Sequence, residues 1–344
     1  MICLRAGAGL SALALLLHPV FFLIYRLSAF NTVPRDDYAR FLLWTVGDPQ
    51  GALPISPYGY RVLSMLLATP FYYGLPALPL TNLPGGLSPA YLRATAALSA
   101  LAFLAWIAGA MLIYAIATGR GAMSRRDGIL AAVLIFALGL YGQIAAIDPL
   151  TLALVALGVA LVDRRWSFSG FVLVSILANE KVALVLAVWL AIRCALSGED
   201  RAALGVQCLA ALLAVAAYVA LIQMLPMAGN SYQTDPGDYP LTLRENLVAY
   251  VSARGVLLNV VPVAILTALA GFGHFGARRF RGRLFRPADI LVIPVLVGVA
   301  LLLTHLFQAG RIVMHAAPLF VIPAVSAAGI WLDRGLSAAG RRPG

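Results

Sequence analysis

Charged residues are scarce in this 344-residue chain, and their scarcity excludes most soluble folds. Only 11% of the residues are Asp, Glu, Lys or Arg, whereas 62% are hydrophobic. A soluble domain is typically about half apolar and about a quarter charged. The apolar residues form long runs, and a helix needs about 20 of them to cross a bilayer. The composition therefore predicts an all-α polytopic membrane protein, because the short alternating strands of a membrane β-barrel are absent.

Lysine and cysteine are nearly absent as well. Lys181 is the one lysine among 25 basic residues. The three cysteines, Cys3, Cys194 and Cys208, have no metal-ligand spacing, and we expect no disulfide between them. The net charge of +11 does not indicate nucleic-acid binding. The arginines fall in short clusters between apolar runs, as the positive-inside rule of membrane proteins predicts.

Hydropathy divides the chain into about ten transmembrane helices, with roughly eight to twelve as the range, in one integral membrane domain over 1–344. Residues 1–30 are read as an uncleaved first span, because the apolar run is long and no small-x-small cleavage site follows closely. Two long loops interrupt the bundle, at 31–90 and 226–254. The predicted spans cover about 10–28, 91–118, 128–146, 149–162, 167–178, 181–196, 203–225, 255–273, 288–306 and 312–332.

The distribution of positive charge predicts the orientation. With both termini in the cytoplasm, sixteen of the 25 basic residues lie on the cytoplasmic side. Positive charge favours that side, so we expect a protein of the cytoplasmic membrane with both long loops outside. Seven charged residues then lie in outer loops or at outer helix ends: Asp36, Asp37, Arg61, Asp148, Glu180, Lys181 and Arg311. Ionisable groups near the hydrocarbon boundary usually face a cavity or one another, which predicts one polar chamber open to the outer leaflet.

Short interfacial helices are predicted inside both outer loops. Residues 61–73 are apolar, too few to cross, and end in two tyrosines, as interfacial or re-entrant helices do. In the second loop, Thr242-Leu243-Arg244-Glu245 is a capping box, which predicts a surface helix from there to about Val251.

The first outer loop carries two adjacent carboxylates, Asp36 and Asp37, a few residues after the first span. One of them would act as a general base on an acceptor hydroxyl. The other would orient that base or hold a divalent cation, and the sequence leaves both roles open. A solvated acidic loop is the simpler alternative. No other metal site or cofactor is predicted.

The acidic doublet resembles the acidic site in the first outer loop of the GT-C superfamily of membrane glycosyltransferases. The stretch from Asp148 to Lys181 is similar too, since an acid opens a span and a Lys/Glu pair follows, here in the order Glu180-Lys181. Two segments, 57–63 and 308–311, look like segments of uncharacterised bacterial members. The resemblance covers most of the chain in architecture and only these short motifs in sequence. It implies a GT-C-like helical bundle.

The resemblance also implies a sugar donor linked to polyprenyl phosphate and a glycan or lipid acceptor. Such a donor needs cations near the outer leaflet, and Arg61, Arg311 and Lys181 are the candidates to hold its phosphate. The simpler alternative for both arginines is a side chain that only reaches toward the interface. For Glu180 and Lys181, it is a mutual ion pair or a helix start.

Further residues are expected to support this site: Tyr60, Asp148, Glu180, His305 and Gln308. Positions 308, 311 and 315 share one helical face if the helix continues through Gly310. Asp148 followed by Pro149 is also a strong helix-start signal, so N-capping is its simpler role. Packing is the simpler role of His305.

The sequence therefore predicts a glycosyltransferase at the outer face of the cytoplasmic membrane, with membrane lipids as partners. A secondary transporter or lipid flippase using the same chamber is the alternative. A non-catalytic membrane scaffold, in which the loop carboxylates would be dispensable, is a third. Transporters commonly show repeats and midplane charges, whereas here the charges lie at one end and no repeat is visible. The absence of a glycine-rich nucleotide motif argues against nucleotide-sugar chemistry and ATP-driven transport.

Overall fold

The computed structural model describes residues 37–52, 61–75, 88–119, 123–141, 148–224, 239–277, 286–303 and 309–339. Within these ranges the chain is helical and contains no strand, which confirms the all-α class. The predicted first span lies outside the described residues, as do Asp36, Tyr60, His305 and Gln308.

The α-helices of the described ranges are joined by turns, one π-helical segment (Val256–Val260) and one 3-10 segment (Pro287–Leu291). A single helical turn, Ala253–Gly255, precedes the π-helical segment. In chain order the helices are α1 Asp37–Thr45, α2 Val62–Gly74, α3 Pro89–Gly119, α4 Arg125–Tyr141, α5 Asp148–Leu161, α6 Arg165–Ser175, α7 Glu180–Leu196, α8 Gly198–Met224, α9 Tyr239–Tyr250, α10 Val261–Ala277, α11 Val292–Leu303, α12 Ala309–Met314 and α13 Ala317–Ala339.

Three helical segments of the described chain are long and apolar enough to cross a membrane: Pro89–Gly119, Gly198–Met224 and Ala253–His274. Shorter apolar helical stretches accompany them at Val62–Gly74, Asp148–Leu161, Pro287–Leu302 and Ala317–Trp331. These segments support a membrane protein. The total of about ten spans remains a prediction.

Several helices differ from the predicted spans for local reasons. The predicted fifth span is the 11-residue α6, after which Asn179 caps the 17-residue α7. The predicted tenth span is broken, because α12 ends at Met314 and a turn at His315 and Ala316 precedes α13. Pro318, near the start of α13, has no N–H with which to continue the hydrogen bonds of α12.

Both predicted outer loops contain helix. In the first, α2 agrees closely with the short helix expected over 61–73. In the second, the predicted start at the capping box is wrong, since α9 already runs from Tyr239 and Thr242 lies inside it.

Two large apolar clusters hold the described helices together, and a small third one pairs Trp106 with Phe136. The smaller one joins α1, α2 and the first half of α3, and it buries Phe41, Met65 and Leu98. The larger one joins the second half of α3 to α5, α7 and α13, and it buries Leu186 and Phe320. Because α3 and α5 contribute residues to both clusters, they link α1 and α2 to the rest of the bundle.

The π-helical segment fixes the start of α12. Asn259 in this segment is buried, and its side-chain oxygen accepts the backbone N–H of Gly310 at 3.2 Å. A Cβ atom on Gly310 would lie 2.0 Å from the carbonyl oxygen of Leu258. Only glycine allows so close an approach of two backbones, and this approach sets the position of the next residue, Arg311.

We expect Gly310→Ala to lower the thermal unfolding temperature of the detergent-solubilised protein, since the new methyl group must push α12 off the π-helical segment. The cost should be about 2 kcal/mol, as for other overpacked sites. Gly298→Ala in α11 is the matched control, because a Cβ there meets no atom within 4 Å. Equal unfolding temperatures of the Gly310 variant and wild type would show that this contact does not constrain the fold.

Candidate functional site

Four separate segments of the chain meet at the N-terminal end of α7. They bring together the side chains of Arg61, Asp148, Glu180, Lys181 and Arg311, which we call the charge cluster. Two of its members lie at helix starts: Asp148 opens α5 and Glu180 opens α7. The five side chains are positioned by the starts of α2, α5 and α7 and by the segment that leads into α13.

Arg61 forms a two-pronged ion pair with Glu180. Its Nε donates to Oε2 at 2.9 Å and its Nη2 donates to Oε1. Backbone contacts hold the two segments in register: Leu63 N–H donates to the Leu177 carbonyl at 2.9 Å, and Ser64 Oγ donates to the Ala178 carbonyl at 2.8 Å. The start of α2 is therefore fixed against the turn that leads into α7.

Helix α1 adds a hydroxyl group to this pair. Tyr38 is buried, and its phenol oxygen accepts from Nη1 of Arg61. The guanidinium carbon also lies 5.9 Å from the centre of the Tyr38 ring. All three nitrogens of Arg61 thus have partners on two other segments.

Arg311 forms the second ion pair, with Asp148. The Nε atom of Arg311 donates to Oδ2 of Asp148, and Nε2 of His315 lies 3.2 Å from the other carboxylate oxygen. Because the chain turns at His315, both residues reach the same carboxylate from α12 and from the turn after it. The other ring nitrogen of His315, Nδ1, is buried and has no hydrogen-bond partner among the described residues.

Lys181 is close to both ion pairs. The side chain of Asn179 accepts the Lys181 backbone N–H at 3.1 Å and donates to Thr151 Oγ1 at 2.8 Å. These bonds cap α7 and tie it to the first turn of α5. The ammonium group interacts electrostatically with both arginines and both carboxylates of the charge cluster.

The charge cluster is buried and holds three basic side chains against two carboxylates. The exposed fraction is 2% for Arg61, 1% for Asp148 and 8% for Lys181 and for Arg311, while the Glu180 side chain is 18% exposed. With Lys181 protonated and His315 neutral, three cations face two carboxylates. Buried charge is costly unless it is paired, so an excess cation at this place suits an anionic ligand.

The structure brings together five of the residues singled out in the sequence, namely the charge cluster itself. Asp37 is the first residue of α1, directly before Tyr38, and its side chain lies outside the described part. Asp36, Tyr60, His305 and Gln308 lie outside it entirely. Glu180 starts a helix, which was one of the two simpler roles predicted for it. The other, an ion pair with Lys181, is wrong, because the ion-pair partner of Glu180 is Arg61.

Three residues that shape this site are not among those predicted from the sequence. Tyr38 follows the acidic doublet directly, and a tyrosine among apolar helix residues was a usable signal for a buried hydroxyl. Asn179 stands directly before Glu180, where an N-cap is expected. No local sequence pattern predicts the role of Thr151, because that role depends on which helix lies beside α5.

A second ion-pair network lies at the opposite end of α7. Arg193 donates to both carboxylate oxygens of Asp289, at 2.8 and 2.6 Å, and Trp189 donates to the same carboxylate at 3.1 Å. Arg193 is about 18 Å from Lys181 along the helix axis. Arg193 and Asp289 balance each other, so this pair carries no excess charge.

The described residues contain no group of three or more metal-ligating side chains. A cation at Asp36 and Asp37 would involve a residue outside the described part. Neither a protein-family model, nor a curated protein, nor a solved structure matches the chain.

We expect Glu180→Gln to destabilise the protein by about 3 kcal/mol, because it leaves the buried Arg61 guanidinium without a counter-charge. Glu199→Gln is the matched control. Glu199 meets Arg286 at 3.4 Å with a 75% exposed side chain, so its loss should cost under about 1 kcal/mol. Thermal unfolding in detergent measures both, and equal effects would contradict a buried pair at Arg61.

Proposed function

We propose that this protein is a membrane glycosyltransferase with a GT-C-like helical bundle. It transfers a sugar from a polyprenyl-phosphate donor to a glycan or lipid acceptor at the outer face of the cytoplasmic membrane. The observation that supports this function is the charge cluster, in which three buried cations from separate segments meet at one end of α7. A lipid phosphate suits such a site, because it brings negative charge to the membrane boundary.

The proposed reaction is a displacement at the anomeric carbon of the donor sugar. An acceptor hydroxyl oxygen attacks that carbon while the bond from the carbon to the phosphate oxygen breaks. The hydroxyl proton passes to Asp37 or Asp36, and the electron pair leaves with the phosphate. Negative charge grows on the leaving polyprenyl phosphate, where Arg61, Arg311 and Lys181 stabilise it.

The position of the acidic doublet along the chain supports its role as base. Asp37 is followed directly by Tyr38, whose hydroxyl group contacts Arg61. Asp37 and Asp36 are therefore one and two residues before a side chain that contacts the charge cluster. An acceptor bound beside the donor phosphate would lie near the same segment.

We expect Asp37→Asn or Asp36→Asn, or the double variant, to slow transfer by about 100-fold or more, the usual contribution of a general base. The assay follows release of undecaprenyl phosphate from undecaprenyl-phosphate sugars by the reconstituted protein, with a cellular glycolipid extract as acceptor. Asp48→Asn is the matched control. Asp48 is the next acid of the same segment, and its carboxylate only accepts the Gln50 N–H at 2.9 Å.

Full activity of the double variant would contradict the assignment of the base. Inactivation by EDTA that added Mg²⁺ or Mn²⁺ reverses would support a divalent cation at the doublet. Movement of the intact donor lipid across the bilayer, without release of undecaprenyl phosphate, would replace the glycosyltransferase with the flippase alternative.

A further inference from the structure

We propose that Lys181 is the anion-binding residue of the charge cluster and that it takes a single negative charge, that of a lipid phosphate diester. This inference rests on the proposed function, in which a lipid phosphate binds at the cluster. It assigns the direct contact with the phosphate to one residue, while Arg61 and Arg311 act on the phosphate from within their ion pairs. It also predicts which phosphate chemistry the site accepts.

Each arginine of the charge cluster already has a carboxylate partner. Arg61 pairs with Glu180, and Arg311 pairs with Asp148. Lys181 differs from both, because within the described ranges its side chain forms no ion pair and no hydrogen bond. The residue is buried, with 8% of its surface exposed. A bound anion would supply the partner that the protein does not.

Two helix N-termini converge on the same place. Helix α5 begins at Asp148 and α7 begins at Glu180, and the Asn179–Thr151 hydrogen bond of 2.8 Å holds the two starts together. Lys181 is in the first turn of α7. The N-terminal ends of helices attract negative charge, and they act here in addition to the unpaired ammonium group.

The charge balance of the cluster suits a donor with one negative charge. The two ion pairs cancel, and a protonated Lys181 leaves an excess of one positive charge. A phosphate diester, such as a sugar linked to a lipid through one phosphate, carries one negative charge and neutralises the cluster. A diester of diphosphate carries two, and its second charge would have to displace Glu180 or Asp148 from its arginine.

Binding of short synthetic lipids to the full-length protein in detergent tests this assignment. The probes are farnesyl methyl phosphate with one charge, farnesyl methyl diphosphate with two, and neutral farnesol. Native mass spectrometry or calorimetry measures their affinities for wild type, Lys181→Met and Lys181→Arg. Arg40→Met is the matched control, because Arg40 is an exposed cation on α1, outside the charge cluster.

We expect the monophosphate probe to bind wild type and the Arg40 variant equally. Lys181→Met should weaken this binding at least tenfold, since it removes a charge-assisted hydrogen bond, and Lys181→Arg should retain it within a few-fold. The diphosphate probe should bind wild type no tighter than the monophosphate. Lys181→Met should also unfold at the same or a higher temperature than wild type, because it replaces an unpaired buried charge with an apolar chain.

Three results would overturn the inference: equal binding of the monophosphate to wild type and Lys181→Met, equal binding of farnesol, or diphosphate binding at least tenfold tighter. A large fall in the unfolding temperature of Lys181→Met would also overturn it, since Lys181 would then have a partner in the fold.

Dihexanoyl phosphatidylglycerol separates the inference from the proposed function. If it binds with the same dependence on Lys181 and outcompetes the farnesyl probe, the anion assignment stands and the polyprenyl donor falls.

Discussion

The pairing of Arg61 with Glu180 and of Arg311 with Asp148 is the constraint on which the rest of the site depends. A guanidinium group keeps its proton, so inside a bundle of low dielectric constant it must meet a carboxylate. The partners are 119 and 163 residues apart in the chain. Four segments must therefore converge on the start of α7, and the close approach at Gly310 is one way in which the fold meets this requirement.

Stability alone does not explain why a protein would bury ion pairs such as these. Well-packed apolar residues would usually serve stability as well as, or better than, a buried ion pair. The Arg193–Asp289 pair at the far end of α7 is balanced and also bonded to Trp189, so it can be purely structural. The charge cluster differs, because Lys181 adds a cation that no described residue balances. That imbalance is better explained by a ligand than by the fold.

The sequence was sufficient to predict that Asp148, Glu180, Lys181 and Arg311 would lie close together. Isolated charges at the ends of apolar helices usually face a cavity or one another. The sequence could not predict the partners. Glu180 and Lys181 are adjacent in the chain, yet Glu180 turns to Arg61, since the direction of each side chain depends on how α2 and α5 pack against α7. Similarly, the position of Arg311 depends on the close approach of Gly310 to the Leu258 carbonyl, which hydropathy does not record.

The central claim is that a lipid phosphate binds to Lys181 beside two intact arginine–carboxylate pairs. A cryo-EM map of the protein in lipid nanodiscs with an undecaprenyl-phosphate sugar, at a resolution that shows side chains, tests it most directly. The account predicts phosphate density beside the Lys181 ammonium group, with Arg61 still on Glu180 and Arg311 still on Asp148. Density for Lys181 against a carboxylate of the protein, with the phosphate elsewhere, would contradict it.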